Sequence, residues 1–182
     1  MNSLLAELWK RLPLKKTHQL KIMRLFQDSF LIGTTGIIFN EHYQVLLFKH
    51  TYRKLPWSLP GGYLKAGEHP KEGLEREIEE ESGLVISIEE RLRIRTDRDE
   101  ARLDICYIGF FLGGTFTSSD EVSDFGFFNL NELPLIAKDQ LFQIKAAYTK
   151  VYNQTIKNQK ENPQKQKNIS RIFTSFRRYL SV

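Results

Sequence analysis

Apolar residues follow a helical spacing near both ends of the chain and a strand-like pattern in its middle. Residues 3–12 and 14–28 carry apolar side chains three and four positions apart, which predicts two helices separated at Pro13. From Phe30 to Phe39, the sequence FLIGTTGIIF is rich in β-branched and aromatic residues, which favours a strand. A turn at EHYQ and a second strand at VLLFKH follow.

The central part of the chain contains one predicted helix between a long loop and further strands. Residues 51–70 hold three prolines and three glycines, which predicts mainly loop. Pro70 suits the first position of a helix and Gly83 suits its end, so the helix should cover residues 70–82. Strands are predicted at 84–96, 102–114 and 126–130, and the sequence NELP at 131–134 predicts a helix start.

The C-terminal part is predicted to be helical again. Residues 138–158 suggest one helix, a polar linker follows, and residues 168–181 form an amphipathic pattern typical of a last helix. The class is therefore α+β with helices added at both ends. We expect an N-terminal helical extension at 1–31, a core at 32–137 and C-terminal helices at 138–182.

Composition places the chain among ordinary globular proteins. It has 182 residues, 41% hydrophobic and 27% charged, which is enough to bury a core. The single cysteine, Cys106, excludes an internal disulfide, and its apolar neighbours predict a buried reduced thiol. No apolar run reaches the length of a membrane span, and the N-terminus lacks the long apolar region of a secretory signal, so we expect a cytoplasmic protein.

The net charge of +5 is unevenly distributed. Residues 1–33 have a net charge of +4, residues 34–137 of −7 and residues 138–182 of +8. Basic flanks around an acidic middle suggest an anionic partner for the flanks, or flanks that fold back on the middle.

The predicted helix at 70–82 is unusually acidic. Five of the seven positions from 75 to 81 are glutamates. Positions three and four apart share a helix face, so Glu77, Glu80 and Glu81 would present carboxylates on one patch. Such a patch repels itself unless a cation sits in it, and oxygen clusters of this kind suit Mg²⁺ or Mn²⁺ together with substrate phosphates. The alternative interpretation is a solvated acidic face.

The segment from Gly62 to Leu84 resembles a complete Nudix box. The positions that match the family's spacing are Gly62, Glu68, Arg76, Glu77, Ile78, Glu80, Glu81, Gly83 and Leu84. The preceding WSLPGG and the later DEVSDFGFFNLNELP are also similar to the family, so the resemblance covers about residues 32–137. It implies the Nudix fold, a mixed β-sheet sandwiched between helices.

The resemblance also implies an activity. Nudix enzymes hydrolyse a pyrophosphate bond in a nucleoside diphosphate linked to another group, or in a nucleoside triphosphate, and release a nucleoside monophosphate. Mg²⁺ or Mn²⁺ would be the cofactor. By position, Glu80 and Glu81 would be the chief metal ligands with the Gly61 carbonyl, and Glu77 would be a third ligand or the catalytic base.

Other box residues would support this site. Arg76 would hold a box glutamate, while Gly62, Glu68 and Gly83 would maintain the loop and helix geometry. Because some family members take the base from a loop outside the box, Glu121 is the other candidate, with Asp120 and Asp124 nearby. The alternative is that Glu121 is a surface acid.

Several residues outside the box have two interpretations. Arg93, Arg95, Arg98 and Arg102 would either hold phosphates or form a solvated or salt-bridged strand edge. Trp57, Phe127 and Phe128 would either stack on a base or pack in the core, and we favour the core. His69, directly before Pro70, is expected near the helix N-cap rather than at a metal.

Rival functions remain open. A non-catalytic Nudix-fold nucleotide-binding module is less favoured because such modules commonly lose box glutamates, and this chain keeps them. An RNA 5′-end pyrophosphohydrolase is a further alternative because of the basic flanks. Those flanks would contact RNA or an anionic membrane, or would cover the core or a partner in a homodimer, and we favour the covering role.

Overall fold

The computed structural model describes residues 15–26, 29–97 and 100–161, which form two compact units divided between Phe30 and Leu31. The first unit contains helix α1, Lys16–Phe26, where a helix at 14–28 was predicted. The predicted helices at 3–12 and 168–181, and Arg98, lie outside the described residues. No helix in the described ranges is long and apolar enough to cross a lipid bilayer.

The second unit is built on one mixed sheet. Its strands are β1 Leu31–Phe39, β2 Val45–His50, β3 Trp57–Ser58, β4 Gly61–Tyr63, β5 Leu84–Asp97, β6 Arg102–Gly114 and β7 Val122–Phe128. The order is β3-β2-β1-β6-β5, with β4 also paired to β1 and β7 to β2. Strands β1 and β6 run parallel, from Leu31 opposite Arg102 to Phe39 opposite Phe110, and the other pairs are antiparallel.

Helices cover both faces of this sheet. Helix α2, Pro70–Ser82, packs Leu74 and Ile78 against one face, and helix α3, Lys138–Glu161, packs Ile144, Ala147 and Val151 against the other. Successive strand residues point to opposite faces. Strand β2 is therefore buried on both sides, with Val45 and Leu47 facing α3, and Leu46 and Phe48 facing α2. The predicted α+β sandwich is confirmed.

Helix α2 begins and ends at the predicted residues. His69 is the N-cap, and its Nδ1 accepts a hydrogen bond from the Lys71 N–H at 3.3 Å, while Pro70 occupies the first turn. At the other end Gly83 has φ 71°, a left-handed conformation, and donates its N–H to the Glu79 carbonyl at 2.8 Å. A side chain at Gly83 would also meet the Thr115 carbonyl at 2.5 Å. The length of the acidic helix is thus fixed at both ends.

The connection from β7 to α3 differs from prediction. The segment NELP at 131–134 does not start a helix: Glu132 N–H bonds to the Asn129 carbonyl at 3.0 Å in a turn. The Asn129 side chain also donates to Glu132 Oε2 at 2.7 Å. Side-chain bonds of this kind compete with helical hydrogen bonds, and the helix begins only at Lys138. Helix α3 belongs to the same compact unit as the sheet. The division of the chain at residue 137 stays a prediction.

Cys106 lies in β6 under α3 and is buried, as predicted. Burial raises the pKa of its thiol to about 12. Its Sγ lies 3.5 Å from Gln143 Oε1 of α3, to which the thiol can donate. The thiol is therefore a packing residue that stays protonated at neutral pH.

Ile78 tests the packing of the acidic helix on the sheet. Its side chain is fully buried in the cluster of β1, β2, β5 and β6. Ile78→Ala should lower the free energy of unfolding by about 2–4 kcal/mol, because it leaves a cavity under α2. Urea denaturation measures this loss.

Glu79→Ala is the matched control, because Glu79 is exposed on the same helix. It should change the free energy of unfolding by less than about 0.5 kcal/mol. Equal losses in the two variants would contradict the packing described for α2.

Candidate active site

The Arg76 guanidinium is the centre of the acidic cluster. Its Nε and Nη2 donate to the two oxygens of Glu68 at 2.6 and 3.1 Å. Nη2 also lies 2.8 Å from Glu77 Oε1, and Nη1 lies 2.7 Å from Glu80 Oε2. One arginine of α2 therefore joins a loop carboxylate to two carboxylates of its own helix.

These contacts favour the ionised forms of Glu68 and Glu80. Hydrogen bonds from Arg76, and then from the Lys65 N–H, lower the pKa of Glu68 to about 2. The hydrogen bond from Arg76 also lowers the pKa of Glu80, and Lys65 Nζ adds a contact to Glu80 Oε1 at 3.3 Å. Glu80 and Lys65 are more than half exposed, so the Lys65 pair is weak and easily exchanged.

Two glycines bring the backbone of β4 close to this cluster. A Cβ atom at Gly62 would lie 2.5 Å from Glu77 Cδ, so the Glu77 carboxylate occupies the space that a side chain would need. At Gly61 a Cβ atom would collide with the Thr34 carbonyl of β1, to which β4 is paired. The Gly-Gly pair thus allows β4 to fit between β1 and the acidic helix.

Glu81 stands apart from the Arg76 cluster. Its Oε2 is buried and has no hydrogen-bond partner among the described residues. Burial, followed by the charge of Glu121, raises the pKa of Glu81 to about 7. The structure therefore brings together Glu81 and Glu121, although they lie 40 positions apart in sequence. Two neighbouring acids repel each other when both are ionised, so the pair favours a proton or a cation between them.

The pairing of β2 with β7 holds Glu121 in place. Past the end of β2, the Thr51 N–H donates to the Glu121 carbonyl at 3.0 Å, and Thr51 Oγ1 donates to the Asp120 carbonyl at 2.8 Å. The Tyr52 hydroxyl lies 3.5 Å from Glu121 Oε2. Asp124, within β7, accepts instead from the Phe125 N–H at 2.9 Å.

A cavity of about 150 Å³ adjoins the two glycines, between β1, β4 and the first turns of α3. Arg95 and Arg102 line it, and both contact Asp104 Oδ2, at 3.2 and 3.1 Å. Arg93 is not among the lining residues, and its guanidinium lies 5.5 Å from the centre of the Phe142 ring. Two of the predicted phosphate-binding arginines therefore reach the cavity, already paired with carboxylates.

The three candidate aromatic residues lie in the packing around the sheet. Trp57 packs edge-on against Phe128, with 5.1 Å between ring centres, and Phe127 packs against Phe111 at the same separation. Trp57 and Phe128 adjoin the core cluster under α3, while Phe127 adjoins the cluster under α2. This arrangement agrees with the core role favoured from sequence.

Glu75 has a structural contact that sequence reasoning missed. Its Oε1 accepts a hydrogen bond from the Ile88 N–H of β5 at 3.0 Å, beside an irregularity in the β5–β6 pairing. Lys71 Nζ donates to the Glu89 carbonyl at 2.7 Å on the same stretch. The irregular register that exposes these backbone groups cannot be read from the sequence pattern. Glu79, by comparison, is an exposed acid on the surface of the helix.

The donor set fits a hard divalent cation in chemistry, although the side chains are not gathered around one point. No group of three acidic, histidine or cysteine side chains in the described part of the chain has a ready metal-binding arrangement. Arg76 engages Glu77 and Glu80, and Glu81 lies beside Glu121. The buried oxygen of Glu81 has no hydrogen-bond partner among the described residues, so it is the atom that a bound cation would stabilise most.

Comparisons with known proteins agree with this geometry. The family model of the NUDIX domain matches residues 30–151. Over 130 residues the chain is 32% identical to the ADP-ribose pyrophosphatase of Methanocaldococcus jannaschii, covering 68% of this chain and 76% of that protein. These matches confirm the resemblance seen in the sequence.

Solved structures show the same fold. The crystal structure of an ADP-ribose pyrophosphatase from Streptococcus suis matches with a TM-score of 0.55 and 27% identity, covering 64% of this chain and 90% of that one. A UDP-X diphosphatase matches with a TM-score of 0.60 and 24% identity, covering 81% and 78% of the two chains.

The raised pKa of Glu81 predicts an unusual pH dependence of stability. The pKa is 4.5 without burial and about 7 in the fold. The folded chain therefore keeps this proton to a higher pH than the unfolded chain does. The stability contribution is fully present below pH 4.5 and is lost as the pH rises through 7. Without divalent metal, Glu81→Gln should thus exceed the native chain in unfolding free energy at mildly alkaline pH, by about 1–3 kcal/mol.

Urea unfolding in EDTA at alkaline and at acidic pH measures this difference, which should shrink toward zero at the acidic end. Glu79→Gln removes an exposed carboxylate from the same helix and keeps Glu81. Its difference from the native chain in unfolding free energy should therefore stay the same at both pH values. A Glu81→Gln variant that is less stable than the native chain at alkaline pH would show that the ionised carboxylate is satisfied after all.

Proposed function

The chain belongs to the Nudix family and is a pyrophosphohydrolase of that family, and we propose that it hydrolyses nucleoside diphosphates linked to a second group, with Mg²⁺ or Mn²⁺ as cofactor. The observation that carries this proposal is the acidic pair at the end of α2. Glu81 has a buried oxygen without a partner, and Glu121 adds a second negative charge beside it.

The proposed cofactor site combines the box glutamates with the backbone. Glu80 and Glu81 would be the chief ligands, the Gly61 carbonyl would be a further ligand, and Glu77 would be either a third carboxylate ligand or the base. Glu77 and Glu80 would exchange contacts with Arg76 for contacts with the cation. When bound, a divalent ion neutralises charge on the phosphoryl oxygens and makes a nearby water easier to deprotonate.

The proposed reaction is an attack by water on the diphosphate. The water oxygen bonds to one phosphorus, the bond from that phosphorus to the bridging oxygen breaks, and the other phosphate leaves with the bridging oxygen. A carboxylate accepts the proton of the water, and the products are a nucleoside monophosphate and the phosphorylated second group. Two bases remain in competition, Glu77 on the helix and Glu121 on the loop before β7.

The relatives suggest the substrate class. The Methanocaldococcus jannaschii and Streptococcus suis proteins are named ADP-ribose pyrophosphatases, so we propose ADP-ribose or a similar linked nucleotide as the substrate. Nucleoside triphosphates and RNA 5′ ends are the alternatives that the same chemistry allows. The homodimer and the contacts of the basic flanks with membrane or RNA stay predictions.

Glu81→Gln tests the reaction and the cofactor together. With Mg²⁺ or Mn²⁺, the native chain should hydrolyse ADP-ribose to AMP and ribose 5-phosphate faster than it hydrolyses nucleoside triphosphates. The variant should lose on the order of 10²-fold or more in kcat, because a neutral amide replaces an ionised metal ligand. Chromatography of the products measures the rate, and retention of native activity would overturn the ligand role.

Glu77→Gln and Glu121→Gln distinguish the two candidate bases. The base variant should lose kcat, by about 10²–10⁴-fold, while binding Mn²⁺ as tightly as the native chain does. A variant of a metal ligand should instead lose Mn²⁺ affinity, which electron paramagnetic resonance measures without substrate. Full activity in both variants would exclude both residues as the base.

A further inference from the structure

Two glutamine side chains of helix α3 line the cavity beside Gly61 and Gly62. Gln140 and Gln143 are three positions apart, so they lie on the same face of the helix. Gln140 is half-buried and Gln143 is only 5% exposed. A buried amide normally has hydrogen-bond partners for both its oxygen and its nitrogen. The partners of these two amides therefore indicate what the cavity can bind.

The oxygen of each amide is held by a donor of the protein. Gln140 Oε1 accepts a hydrogen bond from the Leu59 N–H at 3.0 Å. Gln143 Oε1 lies 3.5 Å from Cys106 Sγ, whose thiol stays protonated at neutral pH because burial raises its pKa to about 12. A backbone N–H and a protonated thiol both donate, so each amide turns its oxygen toward that donor and its nitrogen away from it.

The nitrogen of each amide is left available. In the part of the chain that the structure describes, neither Nε2 atom has a hydrogen-bond partner, and neither is fully enclosed by protein. Because Gln143 is almost wholly buried, its N–H groups can reach a ligand only through the cavity that it lines. The α3 side of the cavity thus presents two oriented N–H₂ groups to whatever enters.

The ionised side chains next to these amides balance one another. Arg95 Nη1 lies 2.8 Å from Asp139 Oδ2, and its Nη2 lies 3.2 Å from Asp104 Oδ2. Arg102 Nη2 lies 3.1 Å from the same Asp104 oxygen. These two arginines and two carboxylates carry no net charge, so a phosphate would have to compete with a carboxylate for either arginine. An uncharged hydroxyl group fits better, since it can accept from an N–H group and donate to a carboxylate.

The cavity offers little surface for a nucleobase. Of the described residues that line it, only Leu59 and Tyr63 have an apolar or aromatic side chain. A base gains most of its binding from stacking on such surfaces, whereas a sugar presents mainly hydroxyls. Gly61, whose carbonyl is a proposed cofactor ligand, belongs to the same wall. A diphosphate bound at the cofactor would therefore place one of its two attached groups in the cavity, and the polar wall favours a sugar.

We propose that Gln140 and Gln143 bind hydroxyl oxygens of a sugar in the second group of the substrate and thereby select nucleoside diphosphate sugars. The proposal rests on the proposed function and deepens it, because it assigns the cavity to the part of the substrate beyond the diphosphate. Gln143 is the residue to test, since Gln140 also holds the Leu59 backbone.

Product binding tests this assignment without catalysis. The full chain is titrated calorimetrically with ribose 5-phosphate and, separately, with AMP, both with Mg²⁺ present. Gln143→Met keeps the length of the side chain and removes both N–H donors. The variant should bind ribose 5-phosphate about 10-fold more weakly and AMP as the native chain does, because only the sugar phosphate places its hydroxyls in the cavity. Equal weakening of both products, weakening of AMP alone, or no weakening would overturn the proposal.

Gln154→Met is the matched control. Gln154 belongs to the same helix but lies outside the lining of this cavity and donates to Glu90 Oε1 at 2.9 Å. Its replacement should change neither affinity. A comparison on the native chain needs no variant: ribose 5-phosphate should bind more tightly than methyl phosphate, which lacks the sugar. Equal affinities for these two ligands would contradict the sugar site even if Gln143→Met does not fold.

Steady-state kinetics separate this proposal from the proposed function. If the native chain hydrolyses ADP-ribose and Gln143→Met keeps both its KM and its affinity for ribose 5-phosphate, the sugar site fails while the activity stands. If the native chain hydrolyses none of the tested nucleotides but Gln143→Met still loses affinity for ribose 5-phosphate, the reaction fails and the sugar site stands. A KM for ADP-ribose raised about 10-fold, with kcat nearly unchanged, supports both.

Discussion

The guanidinium of Arg76 is the interaction on which the rest of the site depends. It joins Glu68 of the loop to Glu77 and Glu80 of the helix, at distances between 2.6 and 3.1 Å. The bidentate pairing lowers the pKa of Glu68 to about 2, and the same hydrogen bond raises the pKa of Arg76. The pair stays ionised through the neutral pH range. An ion pair therefore joins the loop to the helix, although the neighbouring glutamates of the helix repel one another. A lysine has one point charge and could not hold all three carboxylates in fixed directions.

The position of that guanidinium follows from constraints on the backbone. Pro70 and Gly83 fix the length of α2, so Glu77 falls over Gly62 and Glu81 falls in the last turn. Because β4 pairs with β1, the Gly-Gly segment is held against the sheet, and Glu77 can approach it only where a side chain is missing. The β2–β7 pairing then brings Glu121 to Glu81 from a different part of the chain. The acidic site is thus assembled from three backbone constraints.

The sequence was sufficient for the features that depend on local spacing. The ends of α2 follow from Pro70 and Gly83, and the buried strands follow from their apolar composition. The segment at 131–134 was misread because a side-chain hydrogen bond of Asn129 competes with helix formation there. The contact of Glu75 with Ile88, and the pairing of Arg95 and Arg102 with Asp104, depend on strand register and on which face each residue takes. The β5–β6 pairing shifts its register at three places, between Val85 and Ile86, Ile88 and Glu90, and Arg91 and Arg93, and residue order alone does not reveal these shifts.

The acidic pair shows that the fold accepts an unfavourable arrangement at the site. Glu81 and Glu121 lie close together, and burial, followed by the charge of Glu121, raises the pKa of Glu81 to about 7. Arg53 opposes this shift in part, but its guanidinium donates to the Ser58 hydroxyl at 3.0 Å and lies 3.5 Å from the Tyr52 hydroxyl, and it forms no ion pair with either acid among the described residues. A direct ion pair would keep the carboxylate ionised, as the contact with Arg76 does for Glu68. The arrangement therefore favours a proton or an added cation at Glu81, which is the property that the proposed cofactor would use.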